Sequence, residues 1–249
     1  MSKIKILTIV DMQNDYMKGG PMAVKGADEL IPIINELIKN GEYDAIIATQ
    51  DWHPSNHISF ASTHDREPFS TIKVMDKETG EEEILTLLPR HCVARTYGSA
   101  IVDGLKRKKD YIYVQKGVDA DDDGISGFSY MHKDFIDAAR ENKEVLILDF
   151  VGVALDNCVY HTSKDTADYV ASINAEYLVN VNVLEYACAS INYENAEKLY
   201  SASQNINIKN FSFSRKIFVK LFFSFLYNIR IINFVFNYFF SRLFISVKI

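Results

Sequence analysis

The sequence predicts an α/β protein with a three-layer architecture: a doubly wound, mostly parallel sheet with helices on both faces. Three observations lead there. Apolar runs such as Ile4–Val10 and Val145–Val151 are near-continuous rather than alternating, the pattern of strands buried on both faces in a parallel sheet. These runs alternate along the chain with stretches of helical period, which calls for crossover connections and parallel pairing. At 249 residues, 48% hydrophobic and 24% charged, the chain is also long enough to bury one full core.

Ile4–Val10 is the first strand, and it ends at Asp11. A loop punctuated by Gly19, Gly20 and Pro21 follows. Residues 27–40 place Leu30, Ile31, Ile34, Leu37 and Ile38 at helical spacing until Gly41 stops them. Asp44–Gln50 is the second strand, again followed by an aspartate, Asp51. Residues 51–100 read as irregular, with polar turns near Pro54 and Gly80. Tyr111–Gln115 is the third strand and runs into Lys116 and Gly117; Lys133–Glu141 is a helix. Val145–Val151 is the central strand, after which Gly152 lets the backbone turn. Asp156 is expected to cap a helix over Asn157–Val170. Asn174–Leu184 is the fifth strand, Asn192–Ser203 a helix, and Ile206–Phe213 a last strand.

Asp11, Asp51, Lys116 and the Cys158 turn all fall at carboxyl ends of strands. In such a sheet they are expected to converge on the edge where α/β folds collect ligands. Cys158 in the first turn of a helix feels the positive end of the helix dipole, which favours its thiolate. The bland alternative is a small cysteine packed at a strand–helix junction. Lys116 would favour the thiolate and steady an anion, and Asp11 could accept the thiol proton. Asp51, His53 and His57 offer a carboxylate and two imidazoles within seven residues, a donor set for zinc, iron or manganese. His91 is a further candidate ligand, and Cys92 beside it is either a ligand or buried.

The formal charge of −6 argues against nucleic acid as a partner. Three cysteines, Cys92, Cys158 and Cys188, lack framework spacing and suit a reducing compartment. The N-terminus leads into a strand rather than a secretory segment. The protein is therefore expected in the cytoplasm. The averages hide a division. All 33 acidic side chains lie within residues 1–197, beside 19 basic ones, whereas the remainder carries eight basic residues. Eleven of the sixteen phenylalanines fall between Phe211 and Phe244. The expected organisation is an α/β domain over residues 1–212 and an atypical basic, Phe/Ile-rich tail over residues 213–249. That tail reads as a segment translated past a disrupted frame or as a membrane-surface helix. Arg230 lies in the middle of its most apolar stretch, which disfavours a membrane span.

Taken together, Val10-Asp11-Met12-Gln13-Asn14-Asp15-Tyr16, Asp51-Trp52-His53-Pro54, Pro89-Arg90-His91-Cys92, Gln115-Lys116-Gly117 and Gly152 to Cys158 resemble a known family. They are similar to the nicotinamidases (pyrazinamidases) of the isochorismatase-like cysteine hydrolases, from residue 4 to about residue 200. The resemblance implies Asp11, Lys116 and Cys158 as a catalytic triad. It implies Asp51, His53 and His91 as ligands of one divalent ion, Zn2+ or else Mn2+ or Fe2+, with His57 an additional ligand in some members. It implies a cis peptide between Val153 and Ala154, and an oxyanion hole from the N–H groups of Ala154 and Cys158. Tyr16, Leu88 and Val153 would contact substrate; Leu88 replaces a tryptophan common in the family, and Tyr16 a phenylalanine. The implied activity is conversion of nicotinamide to nicotinate and ammonia through a cysteine thioester, in NAD salvage. The alternative is a related hydrolase acting on another small amide or carbamoyl compound. A small-molecule substrate is the implied partner, membrane contact is confined to the tail, and a homo-oligomer is left open.

Overall fold

The computed structural model describes residues 2–75, 80, 82–106, 111–203 and 205–209. Along the chain, β1 (Lys3–Val10), α1 (Ala27–Asn40) and β2 (Ala45–Asp51) come first, then the strands β3 (Thr71–Met75) and β4 (Glu82–Thr86). They are followed by β5 (Tyr111–Lys116), α2 (Tyr130–Asn142), β6 (Val145–Val153), α3 (Cys158–Ser172), β7 (Val179–Ala189), α4 (Tyr193–Ala202) and the short β8 (Asn207–Ile208). The main sheet has the order β5-β2-β1-β6-β7-β8, and every neighbouring pair in it is parallel.

Two cores flank this sheet. Alternate residues of β1 point to opposite faces: Leu7 and Ile9 join Leu30, Ile34 and Ile38 of α1, while Ile6 and Val10 join Ile136, Val159, Val170 and Ala196 from α2, α3 and α4. The three layers expected from the sequence are therefore present. Strand order runs outward in both directions from the β1–β6 pair, which makes the carboxyl end of that pair the topological switch point. There the strands come very close. A Cβ at Gly152 (φ +115) would lie 2.1 Å from the Val10 carbonyl oxygen, so only glycine fits beside the residue preceding Asp11. The Val153–Ala154 peptide just beyond is cis.

Four sequence expectations shift. Residues 51–100 are not wholly irregular, because β3 and β4 pair antiparallel within them. The alternation of exposed and half-buried side chains along β3 is the period-two signal of a strand in such a pair. The fifth strand begins at Val179, not Asn174: Asn174 takes a left-handed φ of 54°, and the turn through Leu178 closes with Leu178 N–H donating to the Ala175 carbonyl at 2.9 Å. Asp156 does not cap α3. The N-cap is Asn157, and the Asp156 carboxylate accepts instead from the backbone N–H groups of Ile191 and Asn192, at 2.9 and 2.8 Å. The last strand is limited to Asn207–Ile208 among the described residues. Residues 1–209 form one compact unit, and the expected tail, 213–249, lies outside the described residues. No helix among the described residues is long and apolar enough to cross a membrane.

Candidate active site

Asp11, Asp51 and Lys116 terminate or directly follow β1, β2 and β5, and Cys158 opens α3 just beyond β6. Parallel register sets Asp51 directly beside Lys116. All four converge as the strand order requires. Lys116 Nζ lies 3.0 Å from Asp11 Oδ2, 2.5 Å from Asp51 Oδ1 and 3.4 Å from Cys158 Sγ. Asp11 is fully buried with a φ of 49°, a left-handed conformation that aspartate tolerates better than most residues. Thr49 holds it there: its hydroxyl donates to Asp11 Oδ1 at 2.5 Å and accepts from the Asp11 backbone N–H at 3.2 Å.

Burial and charge tune these groups against one another. Burial raises the Asp11 carboxyl above its usual range, and Lys116 only partly offsets it. Burial also raises Asp51, but Lys116, His53 and His91 together outweigh it and hold that carboxyl well below normal. Burial pulls Lys116 down, yet Asp11 and Asp51 overcome it and keep the ammonium well above its ordinary value. For Cys158 burial dominates and pushes the thiol well up, with Lys116 pulling the other way. Burial thus opposes the thiolate that the helix dipole and Lys116 favour. The sulfur lies within 4.8 Å of the Asp11 carboxylate, the candidate acceptor of its proton. Cys158 is the first residue of α3, so its own N–H has no partner inside the helix.

Next to this group stands a donor cluster. One ligand atom each from Asp51, His53 and His91 lies within 4.8 Å of the others. Both imidazoles are oriented through their other nitrogen: His53 Nδ1 donates to the Gly117 carbonyl at 3.0 Å, and His91 Nδ1 to the Pro89 carbonyl at 2.8 Å. A carbonyl can only accept, so each Nδ1 carries the proton and each Nε2 keeps a free lone pair. Two imidazole nitrogens and a carboxylate oxygen are the donor chemistry of a borderline divalent ion. The residues fit such an ion. Gly117 (φ +59) makes room for them, since a Cβ there would come within 2.4 Å of His53 Cε1.

His57 is not among those three donors, but its ring packs on His53 with centroids 4.0 Å apart. Its Nδ1 accepts from the Ser59 backbone N–H at 3.3 Å and faces the Ser59 hydroxyl at 2.7 Å. Its buried Nε2, which has no hydrogen-bond partner among the described residues, is the nitrogen left for a further ligand contact. Burial together with His53 lowers its pKa to about 3, so the ring stays neutral. Cys92 is fully buried; its backbone N–H donates to Asp15 Oδ2 at 2.7 Å, and its thiol belongs to neither donor group. Its part is packing.

A pocket of about 260 Å³ opens onto Lys116, Cys158 and the donor cluster, with Tyr16, Leu88 and Ala154 also in its wall. The Tyr16 hydroxyl donates to Asp51 Oδ2, and burial with the nearby Asp51 charge holds that phenol well above its ordinary pKa. Val153 departs from expectation: it is fully buried in the core on the α1 side, and Ala154 rather than Val153 faces the pocket. The sequence reading also missed Gln13, whose side-chain amide pairs with both backbone groups of Asp51, at 2.8 Å each. Its place two residues after Asp11 was the available signal. It missed the β4 wall, Ile84 and Leu85, along with the hairpin itself.

An open parallel sheet with these groups at its switch point defines an α/β enzyme scaffold, and the isochorismatase domain model matches residues 5–206. The chain belongs to that family, on its nicotinamidase side. A nicotinamidase of Acinetobacter baylyi is 32% identical over 208 residues, covering 82% of this chain and 92% of its own. The structure of the yeast nicotinamidase bound to the inhibitor nicotinaldehyde superposes with a TM-score of 0.68 at 31% identity, covering 83% of this chain and all of that one. The Pyrococcus horikoshii pyrazinamidase in complex with zinc gives a TM-score of 0.58 at 28% identity, covering 83% of this chain and 99% of its own.

Proposed function

We propose that this chain hydrolyses nicotinamide to nicotinate and ammonia through a thioester on Cys158, as a step of NAD salvage in the cytoplasm. The observation that carries the reading is the position of the Lys116 ammonium, 3.4 Å from Cys158 Sγ and 3.0 Å from Asp11 Oδ2, on the wall of a pocket that also holds Asp51, His53 and His91. A divalent ion held by those three residues, zinc by the donor set, would supply a Lewis-acid anchor for the pyridine nitrogen of the substrate.

In this reading Cys158 gives its thiol proton to Asp11 as the sulfur attacks the carboxamide carbon. The raised carboxyl of Asp11 suits a group that must accept a proton and release it again. Lys116 stabilises the thiolate as it forms. The N–H groups of Ala154 and Cys158 receive the developing oxyanion. Asp11 then protonates the amine, ammonia departs, and an acyl thioester remains on Cys158. A water molecule, deprotonated by Asp11, attacks that thioester. Nicotinate leaves and the thiol is restored.

The test is ammonia release from nicotinamide by the purified protein, before and after chelation and readdition of zinc. Turnover that is lost on chelation and returns with zinc is expected; its absence with zinc, manganese or iron would overturn the proposal. Cys158→Ala is expected to abolish turnover while zinc content stays intact. One feature favours a second reading. Leu88 gives the pocket an aliphatic wall near Ile84 and Leu85, suited to a different small amide or carbamoyl compound. A higher kcat/KM for such a compound than for nicotinamide would select it.

A further inference from the structure

Tyr16 closes the short 3-10 turn Asn14–Tyr16 and is 7% exposed. Its hydroxyl is turned inward and donates to Asp51 Oδ2. Lys116 holds the other oxygen, Oδ1, at 2.5 Å, and Gln13 fixes the Asp51 backbone on both sides at 2.8 Å. The carboxylate is therefore gripped at each oxygen by a different partner, and it cannot rotate without breaking two hydrogen bonds. Oδ2 is the oxygen that faces the imidazoles, with His53 Nε2 3.6 Å away. The Tyr16 ring meets the His91 imidazole edge-on, with centroids 5.8 Å apart. A single residue outside the donor set thus touches two of its three members.

We infer that Tyr16 is a positioning residue for the divalent ion: its hydroxyl aims Asp51 Oδ2 into the site and its ring backs His91. The inference rests on the reading of Asp51, His53 and His91 as ligands. A carboxylate oxygen has two lone pairs, so Oδ2 can accept from the phenol and still present a lone pair to an ion. Groups that orient ligands in this way are worth about 10–100-fold in metal affinity. Without the hydroxyl, Asp51 Oδ2 keeps only the longer 3.6 Å approach of His53 Nε2, and the 2.5 Å Lys116 contact at Oδ1 draws the carboxylate toward the triad.

The experiment measures zinc affinity of the metal-free, full-length protein by competition with a chromophoric chelator, for wild type, Tyr16→Phe and Tyr16→Leu. Tyr16→Phe keeps the ring and is expected to bind zinc about 10-fold more weakly or worse; Tyr16→Leu, lacking the ring as well, is expected to fall further. The visible absorption of the cobalt(II)-loaded protein, which reports ligand geometry, is expected to change between wild type and Tyr16→Phe. Tyr177→Phe, at a surface position 76% exposed and outside the pocket, serves as the control and should keep wild-type affinity. Zinc binding by Tyr16→Phe as tight as wild type, with an unchanged cobalt spectrum, overturns the inference and leaves the ligand assignment standing. A wild-type protein that binds neither zinc nor cobalt overturns both.

Discussion

Lys116 is the residue on which the site turns electrostatically. It is a buried cation between two buried carboxylates, with Nζ 3.0 Å from Asp11 and 2.5 Å from Asp51. Removing one member of such a group leaves charge without compensation in a dry interior. Lys116→Met is therefore expected to lower unfolding free energy by about 3–5 kcal/mol, read from urea denaturation, and to eliminate turnover. Equal stability in the variant would mean that the aspartates are screened by something other than this lysine. Arginine is no substitute, since its flat fork needs more room than a point-like ammonium. Gly117 makes the complementary case for space. At φ +59, and with a virtual Cβ 2.4 Å from His53 Cε1, Gly117→Ala must push His53 off the carbonyl that orients it. A fall of about 10-fold or more in zinc affinity is expected, measured by chelator competition; an unchanged affinity would show that His53 adapts.

At the scale of elements, α2 shows how a packed helix carries a pH dependence. Its N-terminus is a capping box in which Ser129 and His132 exchange hydrogen bonds with each other's backbone. His132 is fully buried, stacked against Phe150 and 3.2 Å from the Thr8 hydroxyl. Burial lowers its pKa from 6.5 to about 4. The unfolded chain therefore binds a proton at a higher pH than the folded one. Stability from this group is complete above pH 6.5 and is lost as pH falls toward 4. About 2 kcal/mol should vanish between pH 7 and pH 5, and urea titrations of wild type and His132→Gln should differ in that slope. Parallel slopes would sink the assignment. The element scale also shows what the sequence made legible. β1, α1 and β6 announced themselves because each buries a continuous or strictly periodic apolar set, and Asp11, Asp51, Lys116 and Cys158 could be located because they punctuate such elements. The β3–β4 hairpin did not, since its outward residues include Met75 and Ile84, 63% and 73% exposed, which blur the alternation. The orientation of His57 was equally hidden, because the Ser59 contacts that turn its ring leave no trace in residue spacing.

For the whole molecule, strand order decides where chemistry can occur. With β1 and β6 central and the connections diverging from them, four polar groups, each from the end of a different strand or the helix just beyond it, meet at the carboxyl edge near that pair. A ligand binding only the folded state adds stability by mass action. Zinc at a hundred times its dissociation constant is accordingly expected to add about 2.7 kcal/mol, seen as a higher thermal midpoint that EDTA reverses; an identical midpoint would count against the ion site. Residues 1–209 form a compact unit of their own, so a chain ending at residue 212 is expected to keep its hydrolytic rate within about 2-fold. Loss of the rate would give the remaining segment a role. Asp156, by accepting from the N–H groups of Ile191 and Asn192, staples the loop after β7 to the bend that presents the sulfur, and Ile191 lines the pocket. The width of the doorway and the aim of the nucleophile are thereby mechanically one adjustment: evolution cannot widen the entrance through this loop for a bulkier guest without also loosening the post on which the thiol is mounted.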